Sequence, residues 1–273
     1  MKVTALVENT TNVGLPTEHG LSLYIETKRH RILFDTGKSG LFAENAARLG
    51  VDLKLVDICV LSHGHYDHGG GLKKFSTINE NAPIYMNRNA FGMHFHGQEK
   101  YIGLNRDWLL DEELQQRIIY TDAGLDIDEE LSIVVPKDKK VVDMGSTGLS
   151  VQVGGDFVPE DFRHEHYLLI RENGKRILIS GCSHQGVINI VEWYRPDVLI
   201  GGFHFMDQEP GDILKSYGKM LDEYDTQYYT CHCTGVEQYD YLNSFMRRLH
   251  YLSEGEDFVS DIPQSGCCVS WSG

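Results

Sequence analysis

Apolar and polar residues alternate over residues 2–8 and 21–26, and residues 31–34 carry Ile32, Leu33 and Phe34 in a row, so three strands are expected there. Residues 57–61 and 83–86 read as two further short, buried strands. Leu41, Phe42, Ala46 and Leu49 recur at helical spacing, which predicts a helix over 39–49 closed by Gly50. Beyond an irregular stretch from 91 to 118, short strands are expected at 132–135 and 141–142 around a Pro-Lys-Asp-Lys-Lys turn. A hairpin follows, from 166–170 to 176–180, turning on Glu172-Asn173-Gly174-Lys175. Next come a helix at 187–194, a strand at 197–204, a helix at 211–224, a strand at 228–230 and a helix at 236–249. A terminal strand is expected at 266–269. Strand-then-helix repeats with polar tips in both halves predict an α/β chain whose two related halves pack face to face.

The polar tips carry the chemistry. Residues 61–71 read LSHGHYDHGGG, with His63, His65, Asp67 and His68 inside six positions directly after a buried strand. A loop meeting water would explain one histidine, but not four potential ligands at this spacing. His63 and His65, two apart, can turn both imidazoles into one metal's shell; Asp67 and His68 lie about one turn further on, placed for a second ion. Imidazole and carboxylate suit zinc, iron(II) or manganese(II).

HGHYDH resembles the HxHxDH signature of the metallo-β-lactamase superfamily. That resemblance implies a single domain over 1–273, a four-layer αββα sandwich with mixed sheets, and one or two metals at the sheet edges. LFDTG at 33–37 is similar to the superfamily segment whose aspartate, here Asp35, orients a ligand histidine. GCSH at 181–184, GGFH at 201–204 and CHCTG at 231–235 resemble the subgroup of dihydropterin-ribofuranosylaminobenzene-phosphate synthase-like metal-dependent hydrolases. The resemblance implies that His63, His65 and His184 hold one ion, and Asp67, His68 and His232 the other. Cys182 stands where many members carry a bridging aspartate, and both a metal-bound thiolate and a packing cysteine remain open. His204 is expected to contact substrate or a proton, and His164 and His166 are the alternative ligands. His94 and His96, with no acidic partner or third ligand adjoining in sequence, are expected to be substrate-region or surface histidines. His19, His30 and His250 are given no role.

Net charge narrows the substrate. The 273 residues carry a formal charge of −15, so no basic surplus exists to neutralise phosphates, and nucleic-acid binding is not expected. No apolar run approaches the roughly 20 residues that span a bilayer, and the N-terminal apolar run is too short for a signal peptide. The six cysteines lack the spacing of a disulfide framework, so a cytoplasmic, reduced protein is expected. Within this acidic chain Arg88, Lys100, Arg106 and Arg117 interleave with Phe91, Phe95, Tyr101 and Trp108, as a lid over a small anionic substrate would. The expected activity is metal-dependent hydrolysis of an ester, phosphodiester or related group by a metal-bound hydroxide. Asp67 would orient the water or accept its proton, and His204 would donate to the leaving group. A synthase or transferase, or a non-catalytic metal-dependent binding protein, are the alternatives. Zinc is the first choice of ion, manganese or iron the next, in a one- or two-metal site.

Overall fold

The computed structural model describes residues 1–143, 148–255 and 257–259. Two seven-stranded mixed sheets face one another. The first runs in the order Asp257–Val259, Lys2–Val7, Ser22–Glu26, Arg31–Phe34, Ile58–Val60, Ile84–Met86, Ile118–Tyr120. The second runs Leu249–Tyr251, Gln227–Thr230, Val198–Gly201, Lys175–Ile179, Tyr167–Glu172, Leu131–Val134, Leu125–Asp126. Alternation along each strand sorts side chains between two cores. Ile32 and Phe34 point inward and meet Leu168, Ile170, Ile179 and Ile200 of the opposite sheet. Leu33 and Cys59 point outward onto Phe42, Ala46, Leu72 and Phe75 of the helices Leu41–Arg48 and Leu72–Ile78. On the other side Leu178, Leu199 and Tyr228 pack on Val187, Val191, Leu214 and Leu242, from the helices Val187–Tyr194, Asp212–Asp222 and Val236–Asn243. The result is the expected αββα sandwich. Its central parallel strands are buried on both faces, which explains uninterrupted apolar runs such as Ile58-Cys59-Val60.

Three expectations are corrected. Residues 141–142 form no strand: the Val141 and Val142 amides donate to the Asn189 side chain at 2.8 and 2.9 Å, so a helix residue takes the place of a ladder partner. The last helix stops at Asn243, and Leu249–Tyr251 becomes an edge strand parallel to Gln227–Thr230. Leu242, Met246 and Leu249 share one apolar cluster, so helical spacing survives across a break in the helix. Residues 91–118 are less irregular than expected, because His94–His96 and Lys100–Tyr101 join Leu149–Val153 and Asp156–Pro159 in a four-stranded sheet. Gly154 and Gly155, with φ of 61° and 99°, make the two-residue turn of its hairpin. The strand expected at 266–269 lies outside the described residues. Among the described residues no helix is long and apolar enough to cross a membrane.

Candidate metal centre

The polar tips meet at one edge of the sandwich. Arg31–Phe34 and Ile58–Val60 of the first sheet end at Asp35 and at residues 61–71. Lys175–Ile179, Val198–Gly201 and Gln227–Thr230 of the second end at the segments bearing His184, His204 and His232. Within each sheet these strands pair in parallel with one another, and the tips are their carboxyl ends. The backbone is strained where it leaves them. Asp35, Ser183, His204 and His232 have φ of 59°, 57°, 54° and 50°, a left-handed conformation that non-glycine residues seldom adopt.

Asp35 fixes the protonation pattern of this edge. Its Oδ1 accepts the Ser62 amide at 2.7 Å; its Oδ2 accepts the Ser62 hydroxyl at 2.7 Å and faces His68 Nδ1 at 2.7 Å. With its proton committed to Asp35, Ser62 Oγ accepts from His63 Nδ1 at 2.8 Å. As neutral imidazoles, His63 and His68 therefore each carry hydrogen on Nδ1 and a lone pair on Nε2. Asn9 Oδ1, 2.9 Å from His232 Nδ1, sets the same tautomer there.

The lone pairs converge. His68 Nε2 lies 3.2 Å from His232 Nε2 and 3.0 Å from Cys182 Sγ. The Nε2 atoms of His63 and His65 and both ring nitrogens of His184 are buried without a partner. His63, Cys182 and His184 bring ligand atoms within 4.8 Å of one another, and so do His68, Cys182 and His232. Facing lone pairs and orphaned nitrogens are unfavourable by themselves, and a divalent cation satisfies them; the donor set fits zinc. Burial, reinforced by neighbouring rings, holds His63 and His184 well below the usual histidine range. It lowers His65 to about 3 and His232 to about 4. Their lone pairs are therefore free at neutral pH. Burial opposes charge on His68 as well, but Asp35 outweighs it and the pKa rises. Asp67 is lowered despite its burial, by the imidazoles of His19 and His232 beside it and by His68. Burial and the Cys233 thiol keep the Cys182 thiol protonated well above its ordinary value.

Three histidines sit differently from their expected places. His94 is buried, with Nδ1 2.6 Å from Glu160 and Nε2 3.1 Å from the Asn89 carbonyl. With a partner at each nitrogen, His94 offers no free lone pair. His164 accepts the Gly64 amide on Nδ1 at 2.9 Å, which puts its proton on Nε2. Although His65, His94 and His164 cluster, these bonds leave His65 as the donor among them. His19 faces Asp67 at 3.3 Å and packs at 4.8 Å on the His232 ring, so it belongs to the site's rim. His166 bonds Thr121 at 2.9 Å, His30 sits between Asp57 and Asp128, and His250 stacks on Tyr229.

A cavity of about 150 Å³ opens onto Asp67, His184 and His232, with His204, His96 and Lys100 on its walls. Of the four cations noted in the sequence, Lys100 alone lines it. Arg88 pairs with Asp122, Arg106 leans on the Met93 sulfur, and Arg117 bonds the carbonyls of Asn79 and Ala82.

Residues 15–223 match the family model of the metallo-beta-lactamase superfamily. An uncharacterized protein of Methanocaldococcus jannaschii is 30% identical over 270 residues, spanning 88% of this chain and 94% of its own. The same organism's 7,8-dihydropterin-6-methyl-4-(beta-D-ribofuranosyl)-aminobenzene-5'-phosphate synthase is 26% identical over 291 residues, spanning 94% and 95%. A solved metal-dependent hydrolase of the beta-lactamase superfamily superposes with a TM-score of 0.77 at 27% identity, covering 96% of this chain and all of that one.

Proposed function

Because this chain belongs to the metallo-beta-lactamase superfamily, we propose that it is a metal-dependent hydrolase acting on a small anionic substrate. The observation that carries the reading is the set of buried, unpartnered imidazole nitrogens converging beside Cys182. His63, His65 and His184 would hold one ion and Asp67, His68 and His232 a second, with Cys182 in reach of both sets. A divalent cation held there supplies Lewis acidity and a water acidified towards neutral pH. Asp67, held low by the imidazoles of His19 and His232, would orient a water in the cavity by accepting its hydrogen bond. His204, lowered first by burial and so neutral at pH 7, has one ring nitrogen to take a proton and one to give to a departing group. Lys100 supplies the positive charge on the cavity wall and pairs with the substrate's anionic group.

The likeness to the synthase supports a second reading, transfer to an organic acceptor in place of water. Turnover of phosphodiester, thioester and lactone substrates with zinc, manganese or iron(II) distinguishes hydrolysis from transfer, since only hydrolysis proceeds without an acceptor. Lys100→Glu should raise KM for an anionic substrate by about tenfold or more, the worth of a charge-assisted hydrogen bond, and leave a neutral analogue nearly unchanged. Equal effects on both substrates would remove Lys100 from recognition.

A further inference from the structure

Two buried carboxylates outside the donor set repeat one device. Glu165 accepts the backbone amides of His184 at 2.7 Å and Gln185 at 3.0 Å, and the Tyr167 hydroxyl at 2.8 Å. Glu8 accepts the backbone amide of His232, the Tyr251 hydroxyl at 2.9 Å, and both the amide and the hydroxyl of Thr10. Neither carboxylate reaches solvent. Each of these partners can donate and so favours an ionised carboxylate, while burial acts the other way and raises the Glu165 pKa. The braced amides lie at the strained places: His184 follows Ser183, and His232 is itself left-handed. Asp35 does the same for the Ser62 amide at the head of the HGHYDH loop. Each of three loops carrying candidate ligands is thus tied to one buried carboxylate.

Accepting an amide hydrogen needs no charge, and a backbone carbonyl or a Gln oxygen would serve. Burying an anion is unfavourable unless a cation compensates it. The groups that bond Glu8 and Glu165 are amides and hydroxyls, none of them a charged side chain. The compensating charge has a natural place just beyond the braced histidines. We infer that Glu8 and Glu165 are positioning residues of the metal centre: each fixes the backbone from which His232 or His184 projects, and its negative charge behind that ring strengthens metal binding. This rests on the metal-centre reading above.

The test uses the full chain. Zinc affinity is measured by competition with a chromophoric chelator, and Tm with and without zinc, for the wild type, Glu8→Gln, Glu165→Gln and Glu129→Gln. The last removes an exposed charge and serves as the control. Glu8→Gln and Glu165→Gln should each lose about tenfold or more in zinc affinity and show a smaller zinc-induced rise in Tm, while Glu129→Gln matches the wild type. A variant that folds only with zinc reports the same loss as a raised zinc midpoint. Wild-type affinity in a folded Glu8→Gln or Glu165→Gln protein would overturn the inference. So would a variant that stays unfolded at zinc levels saturating the wild type, since the carboxylate then serves folding alone. A wild type that holds no zinc in the same series defeats the metal-centre reading itself, a separate outcome.

Discussion

Glu254 gives the sharpest quantitative test of how this edge is built. Its side chain is fully buried, with Oε2 accepting the Glu8 amide at 3.3 Å and Oε1 against the Asn45 side-chain amide. Asn45 Nδ2 also serves the carbonyls of Leu6 and Pro16, at 3.0 and 3.1 Å. Two hydrogens thus face three acceptors, a shortage that a protonated Glu254 relieves. Burial first, and then the neighbouring Glu8 charge, raises its pKa from 4.5 to about 7. Below 4.5 the carboxyl is neutral whether the chain is folded or not. Between 4.5 and about 7 only the unfolded chain releases the proton, so stability falls as pH rises. Above that, the whole penalty stands, up to about 3 kcal/mol. Glu254→Gln removes the titration. Urea unfolding of both proteins from pH 4.5 to 8, with chelator present so that no ion contributes, isolates the effect, because groups that do not sense Glu254 titrate alike and cancel. The variant should gain up to about 3 kcal/mol on the wild type across that range. Parallel stability curves would refute the raised pKa and the proton-sharing argument with it.

Two further predictions address the ligands. Replacing His63 and His65 together with alanine should strip most of the bound metal while circular dichroism still reports a folded sheet; full metal retention would exclude both as ligands. Asp35→Asn places an amide donor against the hydrogens of Ser62 and His68, disturbing both tautomers. Metal affinity measured by chelator competition should drop about 10- to 100-fold, and an unchanged value would show that Asp35 does not set the imidazoles.

Much of the fold was legible because it is locally encoded. The helix Val187–Tyr194 and the strand Arg31–Phe34 have their expected bounds, since each is a short, largely apolar run bounded by polar, glycine or proline residues. The HGHYDH loop was legible for the same reason, its four donors lying within six residues. What escaped depends on distant partners. His94 meets Glu160 across 66 positions, and the His232 amide meets Glu8 across 224. No local spacing announces either. The four-stranded sheet did leave a signal: Leu149, Val151 and Val153 alternate and run into Gly154-Gly155. Val141-Val142 misled because β-branched residues can be satisfied by one well-placed asparagine instead of a strand.

The origin of the donors in both halves has a kinetic consequence. His68 meets Cys182 and His232 over 114 and 164 residues of intervening chain. The complete donor set exists only after the two sheets have docked, and a folding transition state that has yet to join them offers an ion at most the HGHYDH fragment. Binding energy gained after the barrier lowers the native state and leaves the barrier where it was. An ion held at this edge therefore acts as a latch on a finished structure: it slows unfolding while the rate of folding stays that of the bare chain.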